Sequence, residues 1–464
     1  MPAFEALELA HAVGGRLVLG TGQKTRGVCI NSRLVRRGNL FVAIKGDRFD
    51  GHVFTREAFN RGAGAAIISE PYLILTQPQA TLILVEDTVF ALQELAAYHR
   101  RKFRKLIVVG VTGSSGKTTV KNLIAGALSV KYNTLKTEGN LNNHIGTPLT
   151  LLNLTAKHQA AVIEMGMSSP GEIARLAKIA DPKIGVITNV GSAHMGKLGS
   201  VAAVRAAKAE LLENMRKGGV AALNADDWHS APLIEKKIRR TVTFGAAAGA
   251  SFRLMGSEPI LGTGGRALTI KAKGKEYKTR IGLIGLKDAE NAVAAFAAAV
   301  MAGVEPEKIG RGLAKVKAEK MRMEPVRLKN GALLINDTYN ANPQSAEAAL
   351  YTLAEYKDKG RTIFVLGDML ELGPASSRVH RHIGKVAAKT GVSAIFVLGT
   401  HSEDAAAEAA RLGVKAVVGH THEELADKLA AFIKPYDTAL IKGSRGSAME
   451  KVVNRLLPVM GGVA

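Results

Sequence analysis

The 464-residue chain is 47% hydrophobic, enough to bury several cores, and reads as two to four domains. Its single cysteine, Cys29, excludes an intramolecular disulfide framework and fits a reducing compartment. An excess of 63 Lys+Arg over 40 Asp+Glu gives +23 and favours anionic partners, but aromatic residues at 5% leave little for base stacking and argue against a nucleic-acid partner.

In chain order, a helix is predicted over 4–13. Glu5 and Glu8 stand where a leader peptide would carry basic residues. Alternating segments follow at 28–30 and 40–44, a helix at 54–60, extended stretches at 65–68 and 82–85, and a helix at 92–101. The basic run Arg100, Arg101, Lys102, Arg104 and Lys105 reads as a solvated helix end. Residues 106–109 then form a short buried strand, 110–116 a glycine-rich turn, and 120–128 an amphipathic helix.

Strand, loop and helix in that order are what a phosphate-cradling loop requires. Glycines turn successive N–H groups inward, the helix N-terminus adds partial positive charge, and Lys117 neutralises phosphate oxygens. Thr118 supplies a hydroxyl for Mg²⁺. The spacing departs from the common pattern, because Gly110 lies one residue too far upstream of Gly116. An ATP or GTP site is the reading.

Beyond the loop, 161–164 is a strand ending in Glu164, a carboxylate able to hold a nucleotide-bridging Mg²⁺ or merely to cap a loop. A helix follows at 170–180, capped by Ser168 or Ser169, then a strand at 184–188, a helix at 201–215 and a strand at 220–223. His194, past a strand end, is equally a second-metal ligand or a loop hydrogen-bonder. Lys208, flanked by alanines, reads as a surface lysine. Asn140, Asn142, Asn143 and His144 form a polar loop that either caps itself or aims amides at a ligand. The stretches 241–244, 267–272 and 277–281 look antiparallel, and a helix at 289–302 closes the region. Within it 292–300, the most apolar run of the chain, is too short to span a bilayer.

A third region has strands at 333–335, 362–366, 394–398, 416–418 and 438–441. Helices alternate with them at 343–356 (capped by Asn342), 379–389, 405–412, 423–433 and 448–457. Such regularity argues a parallel, Rossmann-like sheet, with Asp337 to Pro343 at a strand's carboxyl end where ligands gather. No G-x-G-x-x-G opens it, so NAD is not expected.

Together the stretches 110–119, 137–148, 164–166, 189–194, 207–210, 337–343, 367–373 and 442–446 resemble the Mur ligase family, ATP-dependent amide-forming enzymes of peptidoglycan precursor synthesis. Asn340-Ala341-Asn342-Pro343 and 367–373 are similar to the member that adds D-alanyl-D-alanine to UDP-N-acetylmuramoyl-tripeptide. The Asp-Asn-Pro-Arg of the ligase adding a diamino acid is absent.

The resemblance implies an α/β protein of three domains. These are a small UDP-sugar-binding domain over 1–103, a central P-loop ATP-binding domain with a mostly parallel sheet over 104–318, and a Rossmann-like ligase domain over 319–464. It implies ATP held by Gly113, Ser114, Ser115, Gly116, Lys117, Thr118 and Thr119, with Asn291, Arg322, Asp337 and Asn340. Mg²⁺ would be held by Thr118, Glu164, His194 and a carbamylated Lys208, which overturns the plain reading of that lysine. Lys117, His194 and Lys208 would be catalytic. Ser32, Arg33, Lys45, Asp50, His52, Asn140, Asn142, Asn143 and Asn342 would meet the substrates, UDP-N-acetylmuramoyl-tripeptide and D-alanyl-D-alanine. A cytoplasmic monomer with no stable membrane insertion is expected.

The chain departs from the family at Gly285-Leu286-Lys287-Asp288, where Gly-x-His-Asn is usual, keeping Asn291 downstream. Asn31 and Asn336 stand where aspartate is common. The competing expectations are another Mur-type or folylpolyglutamate-like ligase, a P-loop protein without ligase activity, and a nucleic-acid-binding ATPase.

Overall fold

The computed structural model describes residues 2–20, 24–46, 49–76, 80–191, 198–260 and 264–463. They fall into two compact units, one within 1–192, 200–243 and 297–305, the other chiefly within 244–296 and 306–464.

The first unit opens with helix Ala6–Val13, set by a reciprocal cap between Glu5 and Glu8 and stopped by left-handed Gly14. Its first sheet runs in the order Arg16–Leu19, Leu82–Leu84, Ala65–Ile68, Leu40–Val42, Val28–Cys29. All pairs are parallel except the one made by Arg16–Leu19. The apolar run at 65–68 is buried along its whole length, as a strand covered on both faces should be. Helix Thr88–Arg101 starts four residues earlier than the apolar period suggests, because the Asp87 carboxylate takes the amides of Val89 and Phe90.

The unit's second set of strands is parallel, in the order Val220–Asn224, Ile184–Ile187, Ile107–Thr112, Ala160–Glu164, Thr134–Lys136. Its central strand is longer than expected and reaches Thr112. Gly110 is therefore a strand residue, where an added Cβ would stand 3.0 Å from Leu211 Cδ1. The phosphate loop spans only 113–116, so Gly110 takes no part in it and the departure from the common spacing stands. Helix Glu172–Ala180 begins after left-handed Gly171, and neither Ser168 nor Ser169 caps it. Glu210, from the following helix Val201–Glu213, instead accepts the amides of Gly171 at 2.6 Å and Ala174 at 3.0 Å. A cap reaching across 39 residues has no local sequence signature.

In the second unit, Phe252–Pro259, Arg266–Ala272 and Lys275–Ile281 form an antiparallel meander. Strand Arg240–Gly245 was expected to join it antiparallel, but Phe244 and Gly245 pair parallel with Phe252 and Arg253. The loop at 246–251, closed by Ala250 N–H on Ala247 O, returns the chain to its original direction. The 7-stranded sheet runs Lys415–Gly419, Ala394–Leu398, Thr362–Gly367, Thr438–Lys442, Leu333–Asp337, Glu324–Leu328, Gly462–Val463. Its first five strands are parallel, and Glu324–Leu328 runs antiparallel to both its neighbours. Helices Pro343–Ala354, Ser376–Thr390 and Ser402–Arg411 bury Leu350, Ile383 and Ala409 in one core. Helices His422–Phe432 and Glu450–Met460 bury Leu429 and Val453 in the other. Covering both faces of a parallel sheet makes the doubly wound, Rossmann-like fold read from the sequence. Among the described residues no helix is long and apolar enough to cross a membrane.

Candidate active site

In the first unit the phosphate loop joins strand Ile107–Thr112 to helix Lys117–Leu128. Gly113 packs so tightly that a Cβ would fall 1.8 Å from Thr188 Oγ1, and Gly116 is left-handed at φ 76°. Both positions therefore demand glycine. Asn189 braces the loop from the neighbouring strand end: its Oδ1 accepts Ser115 N–H at 3.0 Å, and its backbone carbonyl accepts Ser114 N–H at 3.0 Å. The first amides of the helix, at Lys117, Thr118 and Thr119, have no intrahelical acceptor by geometry and are the donors an anion would use. Lys117 Nζ donates to Gly113 O at 2.8 Å, which folds the ammonium back over the loop.

At the foot of this loop Glu164 closes strand Ala160–Glu164, almost wholly buried. Thr118 Oγ1 donates to its Oε1 at 3.3 Å and Asn142 Nδ2 at 2.8 Å. Its Oε2 is buried without a hydrogen-bond donor, facing Lys121 Nζ at 3.9 Å. A hydroxyl and a buried carboxylate, one of whose oxygens accepts no hydrogen bond, form a donor set that suits a hard cation such as Mg²⁺.

Lys208 is 1% exposed, so it is not the surface lysine of the plain reading. Burial first, and then the like charge of Lys117, push it well below the usual lysine range. A neutral amine is the form that adds carbon dioxide. His194 lies outside the described residues.

The polar loop divides its work. Asn143 Oδ1 accepts the amides of Ile145 and Gly146 and starts helix Gly146–Leu151, so it is a cap. Asn142 reaches Glu164, and Asn140 is exposed.

Nearer the chain start, Ser32 is buried and donates to Glu57 Oε2 at 2.7 Å, while Arg33 and Lys45 are exposed. His52 is buried with both ring nitrogens engaged: Nε2 accepts Ser69 N–H at 2.9 Å, which leaves Nδ1–H to donate to Asp50 at 2.6 Å. It braces this corner from inside. Burial works against charge on Asp50, but the backbone and ring donors of His52 outweigh it and hold the carboxyl below its usual range.

In the second unit, Asp337 ends strand Leu333–Asp337 and accepts Lys442 Nζ at 2.6 Å and Met323 N–H at 3.1 Å. Lys442 also donates to Asn340 O at 3.0 Å. Asn342 is spent on its helix, accepting Ser345 N–H at 2.9 Å in a capping box. The guanidinium carbon of Arg322 lies over the Tyr339 ring, 3.8 Å from its centroid. At the departure from the family pattern, Asp288 is buried and accepts Gly285 N–H at 3.0 Å. Burial chiefly, with the charge of Asp337, raises its carboxyl to about 6 against the hydrogen bonds from Gly285 and Asn291.

The sequence reading missed Lys121, Asn189 and Tyr339 as site-builders. Lys121 has one signal, a lysine four residues after Lys117 on an otherwise apolar helix. Asn189 has only its place at a strand's carboxyl end.

Comparison with known proteins follows the same lines. Residues 24–100 match the Mur ligase family catalytic domain, 111–299 the Mur ligase middle domain, and 321–445 the Mur ligase glutamate ligase domain. The UDP-N-acetylmuramoyl-tripeptide–D-alanyl-D-alanine ligase of Bacillus subtilis is 35% identical over 97% of this chain and 97% of its own. A crystal structure of MurF from Acinetobacter baumannii superposes with TM-score 0.90 at 32% identity over 99% of both chains. MurF ligase from Thermotoga maritima in complex with ADP gives 0.82 at 31% identity, over 94% of this chain and 98% of that one. The buried carboxylate under a lysine-bearing phosphate loop, the parallel sheets and these full-length likenesses agree: the chain belongs to the Mur ligase family.

Proposed function

We propose that this chain is the ATP-dependent ligase that joins D-alanyl-D-alanine to UDP-N-acetylmuramoyl-tripeptide through an acyl phosphate, giving the pentapeptide precursor, ADP and phosphate. The observation that carries the chemistry is Glu164, buried at the foot of the loop with one oxygen that accepts no hydrogen bond. The substrates follow from the activity that names the relatives matching it nearly end to end.

A carboxylate is a poor acyl donor because oxide would have to leave. Transfer of the γ-phosphoryl group of ATP to the tripeptide's terminal carboxylate supplies a leaving group. The dipeptide's amine then attacks the activated carbonyl, a proton leaves nitrogen, and phosphate departs from the tetrahedral carbon. Gly113 to Thr119 shape the cradle and present the helix amides, and Lys117 lies against the charge that spreads over the transferring group. Thr118, Glu164, His194 and carbamylated Lys208 would hold Mg²⁺, which neutralises phosphate charge when bound. Asn291, Arg322, Asp337 and Asn340 serve the nucleotide. Ser32, Arg33, Lys45, Asp50 and His52 build the UDP-sugar corner, with His52 as brace. Asn140, Asn142, Asn143 and Asn342 serve the substrates, Asn143 and Asn342 by shaping the backbone that faces them.

The boundaries at 103 and 318, a monomeric state and a cytoplasmic location complete the proposal. Phosphate release tests it. It should require UDP-tripeptide, ATP and D-alanyl-D-alanine together. Equal release with single amino acids would point to a different ligase.

A further inference from the structure

Arg322 sits in an unusual piece of backbone. Both its neighbours are left-handed without being glycine, Met321 at φ 65° and Met323 at φ 47°. Such conformations persist only where the surroundings over-determine them, and they gather at functional sites. The surroundings are specific. Met321 O accepts Tyr339 N–H at 3.0 Å, Met321 N–H donates to Glu324 Oε2 at 3.0 Å, and Met323 N–H donates to Asp337 Oδ1 at 3.1 Å. The turn is thus tied at both shoulders of Arg322 to the segment that carries Tyr339.

The side chain completes the arrangement. The guanidinium carbon lies 3.8 Å from the centroid of the Tyr339 ring. A planar cation lying on an aromatic face keeps its N–H groups at its edge, pointing away from the ring. Among the described residues, no carboxylate or carbonyl takes up those donors. An arginine seated over a ring at 3.8 Å beside a strained turn, with its side-chain donors uncommitted, is prepared for a ligand that accepts hydrogen bonds in one plane, as a phosphate or a nucleobase edge does.

We infer that Tyr339 is a positioning residue for Arg322: the ring fixes the guanidinium plane so that its edge meets the nucleotide. The inference rests on the proposed role of Arg322 at the nucleotide and adds to it the group that aims it. The hydroxyl of Tyr339 has no part in this, so the face of the ring is what matters.

The test measures affinity for a non-hydrolysable ATP analogue by calorimetry, and steady-state kinetics, on Tyr339→Phe, Tyr339→Leu, Arg322→Ala and the Tyr339→Leu/Arg322→Ala double variant. Phenylalanine should keep affinity within about twofold. Leucine should weaken it by about fivefold to tenfold, the size of a partly desolvated cation–π contact, and should raise KM for ATP while leaving KM for D-alanyl-D-alanine unchanged. Adding Tyr339→Leu to Arg322→Ala should cost nothing more. If Arg322→Ala weakens the analogue but Tyr339→Leu does not, or if the two losses multiply, the positioning role is overturned while Arg322 keeps its place at the nucleotide. If Arg322→Ala leaves the analogue's affinity unchanged, the nucleotide role falls as well. Equal rises in both KM values for the leucine variant would mark general loosening and also overturn the inference.

Discussion

Replacing Glu164 by glutamine separates charge from shape at the foot of the phosphate loop. The side-chain oxygen can still accept from Thr118 and Asn142, but an NH₂ group then replaces the oxygen that faces Lys121 Nζ at 3.9 Å. At that separation the lost attraction is about 4 kcal/mol gross with an effective dielectric near 20. Much of it is returned, because a neutral amide no longer has to be stripped of water inside the protein. The net loss of stability is expected at about 1–3 kcal/mol, below the 3–5 kcal/mol typical of breaking a tight buried pair, and melting should fall by several degrees. The effect on catalysis is larger. Removing one carboxylate ligand of the Mg²⁺ that would neutralise the transferring phosphoryl group should lower kcat by about a hundredfold to a thousandfold. Phosphate release at saturating UDP-tripeptide, ATP and dipeptide, repeated across a Mg²⁺ titration and paired with thermal melts, measures both. A kcat within about threefold of the parent would refute Glu164 as part of the site. An unchanged melting temperature would refute the buried pair with Lys121.

Asp288 makes a pH prediction of the less usual sign. Its folded carboxyl is raised from the ordinary 3.8 to about 6, so the folded state holds that proton more tightly than the unfolded chain. The resulting penalty is absent below pH 4, grows between pH 4 and 6, and is complete above, where it reaches at most about 3 kcal/mol. Asp288→Asn should match the parent in urea unfolding near pH 4 and exceed it at pH 8; parallel pH profiles for the two proteins would count against the burial argument. Lys208 is expected to carry one added carbon dioxide when bicarbonate is present. Activity should fall on its removal, and Lys208→Arg should be inactive. Full activity in rigorously degassed buffer would contradict that role.

Much of the architecture could be read in advance because its strands are covered on both faces. The runs at 65–68, 184–187, 394–398 and 439–441 are apolar throughout and flanked by helical periods, which leaves few alternatives. The phosphate loop was legible because glycines at 113 and 116 stand directly before Lys117, between an apolar strand and an amphipathic helix, and both positions demand glycine. What escaped lacks such a signal. Strand Glu324–Leu328 lies at the antiparallel side of its sheet with two of its five residues exposed and one buried, so its pattern is mixed. The start of helix Glu172–Ala180 depends on Glu210, far away in sequence. Asn143 stood open between a turn-capping and a ligand-facing use because asparagine serves both, and only the geometry shows its Oδ1 on the amides of Ile145 and Gly146. Lys208 shows the reverse: alanine neighbours suggest a solvated face, whereas the side chain is buried beside the site.

The central claim is tested most directly by mass spectrometry of what the enzyme makes. Incubated with UDP-tripeptide, ATP and D-alanyl-D-alanine, the protein should yield a single product heavier than the acceptor by the dipeptide less one water, in step with ADP, and Lys117→Ala should yield none. An unchanged acceptor mass despite ATP turnover, or normal product from Lys117→Ala, would contradict the account.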